Sequence, residues 1–348
     1  MIAYAYKFLR IFNSDISLLT VTFFMPVFLC ALAVIPAFFI GRKLSGNFAG
    51  FVAATIIAIH PSFLTRTVGG FADTDPFAVF FPLLITWFAI EALDAASTRS
   101  AIILSVLAGL STGIFSFGWT GWWYIFDFLL GVSVIYLVYY IWVHRDEMKN
   151  GLPTFVKQKA ILNTIIFVPL FLITAGISVT YFYDFNNFAG FATNPIGFSK
   201  LKEVGITKIW PNVYTTVAEQ NPASLNSVID QVGLGKFYLL VIALIGISLT
   251  LRFPDSRKWI FVSIAAAWYL GVFLIKVSSL NTFLILISMP IVIAVLYAFY
   301  KADPDTDIKY ALLLMIWFLA TTYASTKGIR FIMILVPVFA LGLGVSLG

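Results

Sequence analysis

The sequence contains a stretch, TRTVGGFADTDPF, whose residue types and spacing are suited to chemistry. It holds Arg66, Asp73 and Asp75 within ten positions. Carboxylates two residues apart in a turn or extended segment can converge on one hard cation such as Mg²⁺ or Mn²⁺, which binds oxygen ligands and often a phosphate. The pattern therefore indicates metal-assisted chemistry at a phosphate group.

Asp75 also has a purely structural explanation. An Asp followed by Pro at the start of an apolar run is typical of a helix N-cap with proline at the first helical position. One carboxylate can serve as cap and as ligand, so both interpretations of Asp75 stay open, whereas Asp73 has no comparable capping role. Gly69 and Gly70 allow the backbone to bend or to approach a ligand closely, and the N-terminus of a helix that begins at Pro76 would favour an anion.

The rest of the chain has the composition of a polytopic membrane protein. Of its 348 residues, 61% are hydrophobic and 11% are charged. The net charge of +6 does not indicate a nucleic-acid partner, because the basic residues lie in short gaps between apolar runs. We predict an all-α membrane domain over residues 1–348 with about eleven helices, near residues 17–41, 47–64, 76–93, 101–120, 122–143, 161–182, 237–251, 259–276, 280–300, 310–325 and 330–347.

The order of these runs assigns each connection to one side of the membrane. Twelve of the 22 Lys and Arg residues fall on one side, which the positive-inside rule favours as cytoplasmic. The opposite, external side receives the loop with Asp73, Arg330 and the long connection over residues 183–236. Long ordered loops in compact proteins are usually functional.

A second DTD triplet occurs at residues 305–307, in ADPDTDIKY. It falls on the cytoplasmic side, and with Lys301 and Lys309 around it we predict a solvated hydrophilic connection rather than a metal site. The external side instead offers Glu219 in TTVAEQNP and Arg330 in STKGIRFIMILVP. Alone, each has an ordinary explanation, since Glu219 could be a solvated loop acid and Arg330 an interfacial anchor.

Three motifs resemble one known family. The run from Phe23 to Phe80, including IGRKLSGNFAGFVAATIIAIHPSFLTRTVGGFADTDPFAVF, resembles the second to fourth membrane helices of the catalytic subunit of oligosaccharyltransferase, the Stt3/AglB/PglB family, in its archaeal type. TVAE at residues 216–219 resembles the SVSE or TIxE motif of the family's long fifth external loop. TTYASTKGIRFIMILVPV resembles the late helix pair in which an arginine lies beside the lipid-linked donor.

The resemblance implies a GT-C glycosyltransferase that transfers oligosaccharide from a dolichol-linked phosphate or diphosphate to the Asn of an N-x-S/T sequon in a polypeptide. It implies that Asp73, Asp75 and Glu219 bind Mn²⁺ or Mg²⁺ and act in catalysis, and that Arg66 and Arg330 hold donor phosphate charge. An amide nitrogen is a poor nucleophile, so such a reaction needs polarisation of the acceptor and stabilisation of the departing phosphate. The site would face the outside of a prokaryotic cell membrane.

Two family features have no counterpart in the sequence. The family's first acidic motif, in its first external loop, and the WWDYG motif of its external C-terminal domain are not found, and we expect a chain truncated at both ends. Trp122 and Trp123 in GWTGWWYIF are predicted to belong to an aromatic belt. A transporter or lipid flippase, another GT-C enzyme such as a protein O-mannosyltransferase, and a noncatalytic remnant that binds donor lipid remain alternatives.

Overall fold

The computed structural model describes residues 2–145, 158–199, 221–253 and 256–348. These ranges are helical, with one isolated β-bridge between Arg252 and Asp307. Two 3-10 helices span Gly190–Ala192 and Ile329–Ile334. The α-helices in chain order are α1 (Ile2–Leu9), α2 (Leu18–Ser45), α3 (Asn47–Ile59), α4 (Pro61–Leu64), α5 (Asp75–Leu93), α6 (Thr98–Gly118), α7 (Trp123–Val143), α8 (Lys159–Phe182), α9 (Phe185–Ala189), α10 (Asn194–Ser199), α11 (Leu225–Val232), α12 (Phe237–Leu249), α13 (Ser256–Leu274), α14 (Leu280–Lys301), α15 (Lys309–Lys327) and α16 (Val336–Leu347).

The apolar runs of the sequence form these helices because a chain inside a bilayer must satisfy its backbone hydrogen bonds internally. Every predicted run coincides with one helix or with two consecutive helices, which confirms an all-α membrane fold. By length and composition, eight segments among the described residues could cross a membrane, and α11 with α12, bent by 80°, would make a ninth. The predicted number of about eleven spans is therefore not confirmed.

Polar residues fix the beginnings of several helices. The Ser17 hydroxyl accepts a hydrogen bond from the Thr20 backbone N–H at 3.0 Å at the start of α2. Ser97 caps α6 and Ser224 caps α11 in the same way, each at 3.2 Å. These side chains satisfy donors that the first turn of a helix leaves unpaired.

Two segments form the centre of the bundle. Buried residues make up 72% of the span in α5 and 78% of the span over Ile329–Leu347, against 22% in Arg257–Leu274. Backbone packing in α16 is close, since a Cβ on Gly342 would lie 2.5 Å from the Ala243 carbonyl oxygen of α12. Small residues permit such approach between membrane helices. These two central segments carry Asp75 and Arg330, so both side chains stand on rigid elements.

Candidate functional site

The segment from His60 to Asp75 is a series of tight turns between α3 and α5. The short helix α4 follows His60, whose Nδ1 accepts from the Ser62 backbone N–H at 3.3 Å. Gly70 then adopts a φ of +89° and donates its N–H to the Phe23 carbonyl at 3.0 Å. A Cβ on Gly70 would lie 3.0 Å from the Phe23 ring. Glycine therefore provides both the left-handed backbone and the close approach at this turn.

The two aspartates stand where this segment enters α5. The helix begins at Asp75 itself, and Thr74 occupies the N-cap position without a side-chain capping bond. Of the two interpretations of Asp75, the N-cap is therefore wrong, and the metal ligand stays a prediction. The Asp73 carboxylate accepts a hydrogen bond from the Thr74 backbone N–H at 2.6 Å, which holds it beside the helix start. The Asp75 side chain is fully buried, whereas 36% of the Asp73 side chain is exposed.

Arg330 reaches this point from the far end of the sequence. Its Nη2 lies 2.5 Å from Asp75 Oδ1 and 3.4 Å from Asp73 Oδ2. Arg66 approaches Asp75 from the other side, with Nη1 3.4 Å from Oδ2. The Arg66 guanidinium also lies over the Phe71 ring at 5.7 Å. The structure thus brings together four of the five residues that the sequence singles out.

The four side chains form a compact set of opposite charges, which we call the external cluster (Arg66, Asp73, Asp75 and Arg330). Each arginine side chain is 17% exposed, so the cluster is largely shielded from solvent. Charges in such surroundings are screened little by solvent and salt. A charged ligand that replaces one member of an ion pair therefore interacts strongly with the other member. Chemically, the cluster can therefore offer cationic donors to an anion and carboxylate oxygens to a cation.

Two carboxylates alone do not complete a metal site. Among the described residues, no group of three or more His, Cys, Asp or Glu could hold a metal ion. The donor set of Asp73 and Asp75 nevertheless suits a hard divalent cation, and Asp73 is accessible to one. Glu219, the third predicted ligand, lies outside the described residues. The predicted metal ligation stays a prediction.

The chain that follows Glu219 is attached beside Arg330. Asn221 accepts a hydrogen bond through its carbonyl oxygen from the Ile329 N–H at 3.1 Å, and the Ala223 N–H donates to the Thr326 carbonyl at 3.2 Å. Asn221 is two positions after Glu219 in the sequence, and Ile329 immediately precedes Arg330. The part of the long connection just after Glu219 is therefore fixed next to the external cluster.

His60 attaches α11 to the same region. Its Nε2 lies 3.0 Å from the Val232 carbonyl oxygen, and the ring is almost fully buried. Burial lowers the pKa of His60, although the hydrogen bond to Val232 opposes that effect. A neutral ring that donates from Nε2 and accepts at Nδ1 satisfies both contacts. His60 is thus a structural link that sequence patterns did not indicate.

The family model described as oligosaccharyl transferase STT3, N-terminal, matches residues 1–348. The chain belongs to the STT3 oligosaccharyltransferase family. This confirms the resemblance found in the three sequence motifs. The match extends over the whole chain, including the segments that carry the external cluster.

Three relatives of this STT3-family chain are named as protein glycotransferases. A dolichyl-phosphooligosaccharide-protein glycotransferase of Methanococcus voltae is 30% identical over 362 residues, covering 99% of this chain and 35% of the relative. One from Methanocaldococcus jannaschii is 24% identical, covering 96% and 38%. The undecaprenyl-diphosphooligosaccharide–protein glycotransferase of Campylobacter jejuni is 29% identical over 130 residues, covering 37% and 17%. The chain spans little more than a third of the length of the first two relatives.

Solved structures share the fold. The archaeal oligosaccharyltransferase AglB from Archaeoglobus fulgidus, in complex with an inhibitory peptide and a dolichol-phosphate, matches with a TM-score of 0.53 and 15% identity, covering 99% of this chain and 41% of that one. The apo form of the Archaeoglobus fulgidus enzyme matches with a TM-score of 0.51 and 17% identity. At these identities the likeness concerns the fold, and it confirms the predicted all-α membrane fold.

A cavity of about 810 Å³ adjoins the external cluster of the STT3-family chain, with Arg330 in its wall. Trp123 and Asp127 of α7 also line it. Trp122 is 1% exposed and stacks on Phe188, so its assignment to an aromatic belt is wrong. Hydropathy does not distinguish a lipid-facing tryptophan from a protein-facing one. Asp127, by contrast, is visible in the sequence as an acid inside an apolar run, a signal that sequence analysis missed.

The second DTD triplet lies at the opposite end of α5. Asp94, which follows α5, pairs with Lys309 at 3.0 Å, and Lys309 pairs with Asp307 at 2.6 Å. The two triplets therefore lie at opposite ends of α5, as their predicted placement on opposite sides requires. The predicted solvated connection is wrong in part, because Thr306 and Lys309 are buried and Asp307 forms the β-bridge with Arg252. We call Lys43, Glu91, Asp94, Asp307 and Lys309 the internal network.

Proposed function

We propose that this chain carries the membrane-embedded site of a dolichyl-phospho- or diphosphooligosaccharide–protein glycosyltransferase. The reaction would transfer an oligosaccharide from a lipid-linked donor to the Asn side chain of an N-x-S/T sequon. Family membership supports the reaction class. The observation that carries the proposal is the contact of Arg330 with both Asp73 and Asp75, across 255 positions of sequence in the latter case.

The chemistry assigns a separate task to each charge. A bond forms between the acceptor amide nitrogen and the anomeric carbon of the sugar, the bond from that carbon to the phosphate oxygen breaks with its electron pair, and the nitrogen loses a proton. Negative charge therefore develops on the phosphate as it leaves. Positioned cations in a shielded site stabilise such charge more than water can. Arg330 and Arg66 are the groups that we assign to this role.

The carboxylates would act on the acceptor and on a cation. Asp75 is fixed by two arginines and by its place at the start of α5, so it can accept a hydrogen bond from the acceptor amide N–H in a defined orientation. Asp73 and Asp75, with Glu219, would hold Mn²⁺ or Mg²⁺. Such a cation, when bound, neutralises developing negative charge as a Lewis acid. The attachment of Asn221 and Ala223 beside Arg330 supports the assignment of Glu219 to the same site.

We propose further that the site faces the outside of the cell membrane. The distribution of Lys and Arg supports this orientation, and the separation of the two DTD triplets by the length of α5 agrees with it. The donor would enter from the lipid and the acceptor polypeptide from the aqueous side. Because the names of the relatives include both phospho and diphospho donors, the number of phosphates on the donor is a separate question.

Peptide glycosylation in proteoliposomes tests the proposal. The assay supplies a lipid-linked oligosaccharide and a fluorescent peptide with an N-x-T sequon, with a peptide carrying Gln for Asn as the acceptor control. We expect transfer that stops on chelation of divalent cations and returns with Mn²⁺ or Mg²⁺, and we expect Glu219→Ala to abolish it. Transfer that persists in Glu219→Ala or without divalent cations would refute the site assignment. Donor binding without any transfer would support a noncatalytic lipid-binding protein instead.

A further inference from the structure

Asp127 is an acidic residue inside the apolar span α7, and it lines the cavity next to the external cluster. Its Oδ2 is buried and has no hydrogen-bond partner among the residues that the structure describes. The wall around it is mostly apolar and includes Phe128, Ile316 and Phe331. An ionisable group within a membrane span is costly, and such groups usually face a cavity and mark a binding site or pathway. Asp127 is not used by the chemistry proposed above.

Arg330 connects the cavity to the external cluster. It is the other charged side chain among the described residues that line the cavity. A phosphate held by Arg330 would therefore lie at one end of a space that contains the Asp127 carboxylate. Within the external cluster, the charges of Arg66 and Arg330 are balanced by those of Asp73 and Asp75. Asp127 adds one further negative charge beside this balanced set.

We propose that Asp127 is a specificity residue that makes the cavity favour a lipid donor with one phosphate over a donor with two. This inference rests on the proposed function and concerns the donor of the same site. A glycosyl phosphate diester carries one negative charge, and the corresponding diphosphate carries two. The second charge is repelled by the Asp127 carboxylate. Among the described residues of the wall the one cation is Arg330, which is already paired with Asp73 and Asp75.

The size of the effect follows from Coulomb's law. A cavity of about 810 Å³ is on the order of 10 Å across, which sets the scale of the separation between its charged groups. At an effective dielectric constant of about 20, one additional charge at that distance changes an affinity by roughly tenfold. The comparison of two donors isolates this effect, because the lipid chain and the sugar contribute equally to both.

The test compares two probes that share one polyprenyl chain and one monosaccharide and differ only in having one phosphate or two. Binding to the protein in lipid nanodiscs at pH 8 is followed by the fluorescence of the tryptophans, two of which, Trp119 and Trp123, line the cavity. We expect the wild-type protein to bind the monophosphate more tightly. Asp127→Asn and Asp127→Leu should reduce that preference by roughly tenfold, and Asp127→Glu should retain it.

Asp230→Asn is the matched control, because Asp230 is an exposed acid on α11 that does not line the cavity. It should leave the preference unchanged. An equal preference in wild type and both neutral variants, an equal change in Asp230→Asn, or no binding of either probe by the wild type would overturn the inference. The measurement uses no acceptor peptide, so a failure of glycan transfer would refute the proposed function without changing the binding ratio.

Discussion

Two DTD triplets lie near the two ends of α5, and their charges are arranged differently. In the external cluster the counter-charges come from remote parts of the chain, with Arg330 paired to Asp75 and Asp73. In the internal network Asp307 pairs with Lys309, only two positions away, and Lys309 pairs in turn with Asp94. At one end of α5 the aspartates of the triplet pair directly with a remote arginine, and at the other end the triplet aspartate pairs with a lysine two positions away.

The difference also concerns what remains available to a ligand. Lys309 lies over the rings of Tyr136 and Tyr310 at 5.0 and 4.8 Å in addition to its two ion pairs, so its surroundings are filled by the protein itself. Arg330, in contrast, borders an open cavity, and Asp73 is partly exposed. We infer that the external cluster serves binding and chemistry, whereas the internal network serves stability.

The largest expected effect is on activity at the external end. Arg330→Ala should lower the initial rate of sequon glycosylation by about 10²- to 10³-fold, because a buried cation facing a leaving phosphate contributes on this scale. Arg257→Ala removes the partner of Asp303 at the other end of the bundle and is the matched control. It should remain within about twofold of wild type, as expected for an exposed pair. Comparable losses of glycosylation rate in both variants would show that the two ends of α5 do not differ in function.

A substitution in the internal network should instead affect stability. Lys309→Met leaves Asp94 and Asp307 without their shared cation, and breaking a buried pair in this way costs about 3–5 kcal/mol. Lys301→Met, at an exposed lysine, is the control and should change stability by less than about 0.5 kcal/mol. Thermal unfolding in detergent measures both. If Lys309→Met melts like the wild type, the internal network has no stabilising role.

Acid should weaken the internal network through Asp94. Burial raises the pKa of Asp94, but Lys309, Tyr310 and Lys43 lower it more, so the net pKa is below its ordinary value. A carboxylate with a lowered pKa contributes stability above the unfolded-state pKa of about 3.9 and loses that contribution as the pH falls through the folded-state value. Melting curves between pH 6 and pH 2.5 should show Asp94→Asn less stable than wild type at high pH and converging with it at low pH. Parallel curves would contradict this assignment.

The smallest effects should come from the turns before each triplet. Both turns use a left-handed residue, Gly70 with φ of +89° and Ala302 with φ of +49°. Gly70→Ala should lower the free energy of unfolding by about 1–2 kcal/mol, and Ala302→Gly should raise it by up to about 1 kcal/mol, because only glycine adopts this backbone without strain. Chemical denaturation measures both changes. If Gly70→Ala raised the free energy of unfolding and Ala302→Gly lowered it, backbone strain would not determine the stability of either turn.

The sequence was sufficient to predict the helices and the separation of the two DTD triplets. A sufficiently long apolar run is almost enough to identify a membrane helix, and the order of the helices predicts on which side of the membrane each loop lies. The meeting of Arg330 with Asp73 and Asp75 was predicted from the resemblance and the shared side. The local sequence did not show that Thr74 would occupy the N-cap position. Because Asp75 is not the cap, its carboxylate pairs with Arg66 and Arg330.

Burial within the bundle could not be predicted in the same way. Lys309 is buried because Asp94, more than two hundred positions earlier, neutralises it, and no local pattern reveals that partner. Trp122 is buried because Phe188 and Asn187 after α8 cover it. The apolar character of a transmembrane run is the same whether it faces lipid or protein, so tertiary contacts decide these cases.

The most direct experiment exchanges one carboxyl for an amide in each triplet. Asp73→Asn and Asp305→Asn are chemically identical changes at the partly exposed acid of the external cluster and at an exposed acid of the second triplet. The initial rate of sequon glycosylation should fall by about 10²-fold or more in Asp73→Asn, the scale for loss of a charged group at a reaction centre, and should stay at the wild-type rate in Asp305→Asn. Near-wild-type rates in both variants, or equal losses in both, would contradict a functional site at the external end of α5.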